Sequence, residues 1–265
     1  MATRVENVGD ILRDWRGRRQ LSQLDLAGEA QVSTRHLSFV ESGRAAPSRD
    51  LLLRLAEPLA LPLRERNRLL LAGGYAPIYS ERSIDEPDMA VARQAVDAVL
   101  RGHMPYPALA VDRHWNLVLA NEAAGSLLTD VAPTLLDPPV NVLRASLHPG
   151  GLAPRIVNLP EWRHHVLTRL RDEAERAGDP VLAALHVELR ALPTPASRHP
   201  PGRGGRIAVP LILRGADSNQ NLSFISTTTV FGSATDVTLA ELTLECFYPA
   251  DNATRLALSP TGERA

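Results

Sequence analysis

Ser33, Thr34, Arg35 and Ser38 stand close together in the stretch STRHLSFVES, where the apolar Leu37 and Val40 fall at helical spacing and leave Thr34, Arg35, Ser38 and Phe39 facing outward. A guanidinium flanked by hydroxyls near the start of a helix carries the groups that meet base edges in the major groove of DNA. Arginine can bind guanine through two hydrogen bonds, worth about 1–3 kcal/mol of discrimination, and hydroxyls serve bases or phosphates. Ser33, Thr34 and Arg35 are the best-placed readers, because the N-terminal end of such a helix contacts the bases. Gln23 opens the preceding helical run, where free backbone N–H groups would help it to a phosphate.

Other chemistry-bearing groups lead nowhere comparable. The chain contains no lysine, which removes a phosphate-loop lysine, a Schiff-base lysine and a Ser-x-x-Lys pair. His164 and His165 point about 100° apart on a helix, and no His-Glu-x-x-His spacing accompanies them, so no metal site is expected. GRGGR at 202–206 neither follows a strand nor opens a helix and is no dinucleotide loop. Cys246 is a lone cysteine in an alternating apolar run and reads as a buried small hydrophobe. With no nucleophile, base or metal set, no enzymatic activity and no cofactor are expected.

The elements that would position the first group are five short helices between Asn7 and Ala72. Ser22, Ser33 and Ser48 each precede an apolar-periodic run as N-caps, Gly43 follows the third helix, Pro58 and Pro62 bracket the end of the fourth, and Gly73-Gly74 stops the fifth. Leu26, Ala27, Ala30, Val32, Leu37 and Val40 would lock the second and third helices at a steep angle, a helix-turn-helix. A bundle of capped, solvated helices would share single features of this pattern but not their combination.

The chain is 265 residues long, 44% apolar and 22% charged, a composition of soluble globular protein with room for two domains. Residues 1–79 carry a net charge of +3 and the remainder −4, so the basic end is the one suited to nucleic acid. No apolar run approaches a membrane span, and MATRVENVGDILRDW lacks the apolar segment of a signal peptide, which makes a cytoplasmic address the expectation.

After the polar connector YAPIYSERSIDEPD, a helix at about 89–100 leads to PALAVDRHWNLVLANEAA, two alternating strands around a polar turn, and a helix over 122–128 capped by Asn121. A proline-rich loop to Pro139, two amphipathic helices at 161–178 and 179–192, and a Pro/Gly-rich loop PTPASRHPPGRGG follow. Three further strands are expected at 207–213, 222–230 and 242–248, giving an α+β plan with one antiparallel sheet. Alternation places Leu117 with Leu119, Phe224 with Ser226 and Thr228, and Leu242, Leu244, Cys246 and Tyr248 on shared faces beneath the long helices. An apolar face with a few hydroxyls could hold a small apolar ligand, and a filled core would leave the same trace. Trp115 stands at the strand turn, and HMPYP sets His103, Met104 and Tyr106 ahead of the first strand, where they could gate a carboxylate.

LSQLDLAGEAQVSTRHLSFVESGRAAPSRDLLLRLAEPLALPLRERNRLLLAGGYAP resembles the XRE-type (Cro and lambda-repressor-like) helix-turn-helix regulators, and its RHLSFVE, PLRERN and AGGYAP strings resemble the branch with an MmyB-like, PAS-like ligand-binding domain. The strand pair and TTTVFGSATDVTLAELTLECFYPADNAT resemble the two ends of that second domain. The resemblance implies a DNA-binding unit over 1–79, a linker at 80–87, a PAS-like ligand-binding domain with five antiparallel strands over 88–258 and a tail at 259–265. It implies DNA contact by Gln23, Thr34, Arg35 and Ser38, structural and backbone-contacting roles for Glu41 and Arg44, and a hydrophobic effector with fatty acids as the leading class. Candidate ligand contacts are Met104, Tyr106, Trp115, Leu117, Leu119, Phe224 and Thr228. Double-stranded DNA and a second copy of the chain are the expected partners, since two-fold regulators read two half-sites. The competing reading gives the second domain only dimerisation or protein contacts. Gln31 stands where such regulators place a turn glycine, and Gly28 sits inside a helix, each at about 1 kcal/mol.

Overall fold

The computed structural model describes residues 7–193, 208–215 and 220–259, so GRGGR, nearly all of the Pro/Gly-rich loop, the expected strand start at Ile207 and the end of the tail lie outside the described residues. The chain forms two compact units, one of residues 1–83 with 233–240 and the other of 84–232 with 241–265.

Unit 1 carries five helices: α1 Val8–Arg18, α2 Gln23–Glu29, α3 Thr34–Glu41, α4 Arg49–Ala56 and α5 Leu63–Ala72. The three serines cap as their positions demand. The hydroxyls of Ser22, Ser33 and Ser48 accept from the N–H of Asp25, His36 and Leu51, and the Asp25 carboxylate returns a bond by accepting from the Ser22 N–H. Gln31 adopts φ 54°, the left-handed turn between α2 and α3. Leu12, Trp15, Leu26, Leu37, Leu55 and Leu70 fill one core, and burying each such side chain contributes about 1.5–3 kcal/mol. α1 and α3 approach so closely at Gly9 that a Cβ there would lie 2.1 Å from the Glu41 carbonyl oxygen.

Unit 2 holds α6 Ala90–Gly102, β1 Ala108–Val111, β2 Leu117–Ala120, α7 Glu122–Leu127, α8 Val142–Leu147, α9 Leu159–Ala177, α10 Pro180–Ala191, β3 Leu211–Arg214, β4 Asn221–Val230, β5 Thr243–Pro249 and α12 Asn252–Leu258. α11, Val237–Ala240, interrupts the path from β4 to β5 and folds with unit 1, where the Val237 N–H donates to the Ser80 carbonyl. The five strands form one antiparallel sheet in the order β2-β1-β5-β4-β3. α8, α11 and α12 carry too few periodic residues to be read from sequence. β3 begins at Leu211 rather than within 208–210, directly after Pro210, which has no N–H for a ladder.

Two face assignments are corrected. Leu117 pairs with Val111 but Leu119 with Ala110, a β-bulge that absorbs Val118 and turns Leu117 and Leu119 to opposite faces; Ala120, opposite Leu109, takes the place expected of Leu119. In β5 the residues facing α9 are Glu245 and Phe247, opposite Thr228 and Ser226, whereas Leu244 and Cys246 are buried on the other face. β5 is the central strand and is covered on both sides, so its apolar alternation does not reveal which side meets the helices.

Asn121 caps α7, accepting from the Ala124 N–H, and the same oxygen accepts from Ala108 while its amide donates to the carbonyls of Leu100 and Tyr106. The hairpin turn is held by Asp112, whose Oδ1 accepts from the N–H of His114 and Asn116, with Trp115 at φ 65°.

Candidate functional site: a helix surface and an enclosed cavity

On unit 1 the first two turns of α3 present Thr34, Arg35 and Ser38, with Ser33 at the cap. Arg35 is exposed, its guanidinium 5.4 Å from the centre of the Phe39 ring, which braces a long side chain that would otherwise sample many rotamers. Arg44 is exposed beyond the αL residue Gly43. Gln23 is committed more deeply: its amide donates to Glu41 Oε2 at 2.7 Å. Glu41 is buried and accepts two further bonds from Arg16, at 2.8 and 3.1 Å, so one carboxylate ties α1, α2 and α3 together. Glu41 and Arg16 thus set the angle at which α3 is offered.

In unit 2 the space between the sheet and α7, α8 and α9 is not filled. A cavity of about 110 Å³, counted as the room available to the centre of a water molecule, lies there. A single water needs about 10–15 Å³ on that measure, so this exceeds a packing defect severalfold. Its walls are apolar: Leu109, Leu117, Leu128, Leu143, Val166 and Phe247 among others. Trp162 closes one side, its Nε1 donating to the Ser146 hydroxyl at 3.0 Å.

One end is polar. Trp162, His165, Arg169 and Glu173 recur along one side of α9 at three- and four-residue steps. The Arg169 guanidinium lies 2.7 Å from Glu245 Oε1 on β5, donates through Nε to Glu173 Oε1 at 3.0 Å, and stacks 4.5 Å from the centre of the Trp115 ring. Trp115 Nε1 donates to Glu173 Oε2, and the Thr228 hydroxyl to Glu245 Oε1. Burial works against the charge on Arg169, but Glu245 and Glu173 outweigh it and hold the group protonated. Burial, then the Arg169 charge, pushes His165 below its ordinary value, against an opposing pull from the Glu245 carboxylate.

Of the residues expected at a ligand site, Trp115 and Leu117 line this cavity. Phe224 is fully buried beside it, edge-on to Phe247 with ring centres 6.4 Å apart, and Thr228 reaches it only through Glu245. Leu119 is turned away by the bulge. Met104 is exposed, and Tyr106 stacks edge-on to His103, which pairs with the Phe247 carbonyl; neither lines the cavity. Sequence reasoning placed Ser226 on the ligand face but missed Ser146, His165, Arg169 and Glu245. A signal existed for Glu245, an acid in the middle of an apolar strand, since a buried carboxylate requires a partner.

A helix-turn-helix unit joined to an α+β unit that encloses an apolar cavity defines a DNA-binding transcription regulator with a ligand-binding domain. Residues 92–259 match the MmyB-like transcription regulator ligand binding domain and residues 8–69 a helix-turn-helix domain, and the chain belongs to the family of MmyB-like regulators. Among solved structures, the clp gene regulator ClgR from Corynebacterium glutamicum is 24% identical over 38% of this chain and 94% of its own, with a TM-score of 0.23, a likeness too slight to carry an argument. No curated protein matches the chain. Among the described residues, no helix is long and apolar enough to cross a membrane.

Proposed function

We propose that this chain is a cytoplasmic, homodimeric regulator whose affinity for operator DNA is set by an apolar small molecule held in the unit 2 cavity. The observation that carries this reading is the cavity itself, mostly apolar with polar groups clustered around Arg169, the form of a small-molecule site. The family resemblance adds fatty acids as the leading chain class. The polar groups at the cavity end are tied into ion pairs and hydrogen bonds rather than set out as nucleophile and base, which favours binding over turnover. Homodimerisation follows from the small surface that one recognition helix can bury on DNA.

The test uses the purified full chain. Duplexes enriched from a random pool serve as operator, and fluorescence anisotropy reads affinity with and without ten-carbon amphiphiles, alongside native mass spectrometry of the protein as isolated. A ligand-dependent change in operator affinity is expected. A clean dimer that binds operator and takes up no apolar compound would assign unit 2 to assembly alone.

A further inference from the structure

We propose that the segment between β4 and β5 is a strap that carries the state of the cavity to the DNA-binding unit, and that its short leg, Glu241 and Leu242, transmits it. This rests on the cavity being a ligand site that sets operator affinity. The chain passes between the two units after Ser83, after Gly232 and after Ala240. The first crossing leads into α6, and none of the described residues that line the cavity belongs to α6. The other two join the cavity wall directly. β4 brings Ser226 to the lining and β5 brings Glu245 and Phe247, and the strap leaves and rejoins the sheet at Val230 and Thr243, which pair across it.

The middle of the strap is clasped within unit 1. Asp236 pairs with Ser80 as an isolated parallel bridge, and the Val237 N–H donates to the Ser80 carbonyl at 2.7 Å, with Val237 fully buried. Asp236 is buried as well: one carboxylate oxygen accepts from the Thr238 N–H, and the other lies 3.9 Å from the Arg82 guanidinium. A buried carboxylate beside a cation resists removal, because parting the two leaves a charge uncompensated. Asn67 of α5 fixes the residues just before Ser80, accepting from the N–H groups of Ile78 and Tyr79 and donating to the Tyr79 carbonyl, and α11 packs on α5. From α5 the packing continues to α1, and from α1 to α3. The two legs of the strap differ. Five residues separate β4 from Asp236, with Gly232 and Ser233 exposed, a leg that can take up slack. Two residues separate α11 from β5: Glu241, whose carboxylate lies 3.8 Å from the Arg113 guanidinium, and Leu242, which is 1% exposed. Arg113 stands in the hairpin turn two residues before Trp115, a wall of the cavity, so the short leg is fixed to the lining at one end and to the clasp at the other.

Two Gly-Gly insertions in the full-length protein separate the legs, one between Gly232 and Ser233 and one between Ala240 and Glu241, each adding about 7 Å of reach. Operator affinity is read by fluorescence anisotropy with and without saturating decanoate or 1-decanol, and ligand affinity by calorimetry. In the native chain the bound probe should change operator affinity at least about five-fold. The long-leg insertion should keep that factor to within about two-fold of the native one, whereas the short-leg insertion should bring the factor itself below about two-fold. In both, the affinities for ligand alone and for operator alone should match the native chain, a result that structural damage would not give. A short-leg insertion that keeps the native factor overturns the proposal, and so does equal loss of the factor in both insertions. Should the short-leg insertion not fold, or lose either affinity, Asp236→Asn decides, since it keeps the α11 cap and removes the charge beside Arg82. Its factor should fall at least about three-fold, and a native factor there overturns the proposal. A native chain whose operator affinity neither probe moves overturns the regulatory reading, and this proposal with it.

Discussion

Arg35 is exposed on α3, and the Phe39 ring beneath it limits the directions in which the guanidinium can point. A braced guanidinium at a recognition-helix start is suited to reading bases rather than only adhering to phosphate. Arg35→Ala should therefore weaken operator binding by about 1–3 kcal/mol and random-duplex binding much less, as read by anisotropy at fixed salt. Equal losses on both duplexes would make Arg35 a phosphate contact. A second residue carries a pH prediction. Burial raises the Asp179 carboxyl, but hydrogen bonds from His114 at 2.9 Å and from the Val181 N–H, with the nearby Arg113 charge, outweigh it and hold Asp179 below the ordinary carboxylate range. A folded value below the unfolded one gives stability that is complete above about pH 4 and lost as pH falls through the folded value. Asp179→Asn keeps an oxygen for the α10 cap and should flatten that acid limb in melts taken from pH 6 down to pH 3. An unchanged limb would place the acid loss on other carboxylates. The exposed place of Arg35 on α3 was legible from helical spacing, whereas the pairing of Asp179 with His114 was not, because the two lie 65 residues apart.

Helices declared themselves through their ends. Serine before an apolar-periodic run located α2, α3 and α4, and Gly43 marked the end of α3, since an N-cap is a local hydrogen bond between residues three apart. Their mutual approach is less local. At Gly9 the α1 backbone lies against the Glu41 carbonyl, so Gly9→Ala should force α1 and α3 apart and destabilise unit 1 by about 3 kcal/mol in urea unfolding, despite alanine's better helix propensity. A variant as stable as the parent would show that the two helices can separate freely. Strands were harder. The bulge at Val118 depends on what β1 offers across the sheet, and it reverses the face of Leu119 although the sequence alternates without a break.

Across the whole molecule, the chain leaves unit 2 after β4, forms α11 within unit 1 and returns as β5, the strand that carries Glu245 into the cavity. The β4–β5 connection is thus shared covalently by the sheet that lines the cavity and the unit that bears α3. Val166→Phe places a ring in the cavity and leaves the residues of unit 1 unaltered. It should lower 1-decanol affinity at least about ten-fold while leaving operator affinity in the absence of ligand within about two-fold. Undiminished decanol binding would place the ligand elsewhere. If ligand and operator are coupled, linkage requires each to change the affinity of the other by the same factor; unequal factors in the two calorimetric titrations would mean that a third species takes part.

By itself the sequence determined what depends on near neighbours: the five helices of unit 1 with the serine caps of α2, α3 and α4, the outward face of α3, the polar turn of the β1–β2 hairpin and the Asn121 cap. Each is set by residues within a few positions, where type and spacing are sufficient. The tertiary structure alone decided that a cavity stands beneath α9, that Arg169 meets Glu245 from an element 76 residues on, and that Gln23 serves the buried Glu41 as well as any phosphate. A filled core and a lined cavity need the same apolar residues, and they differ only in whether distant side chains meet across the gap.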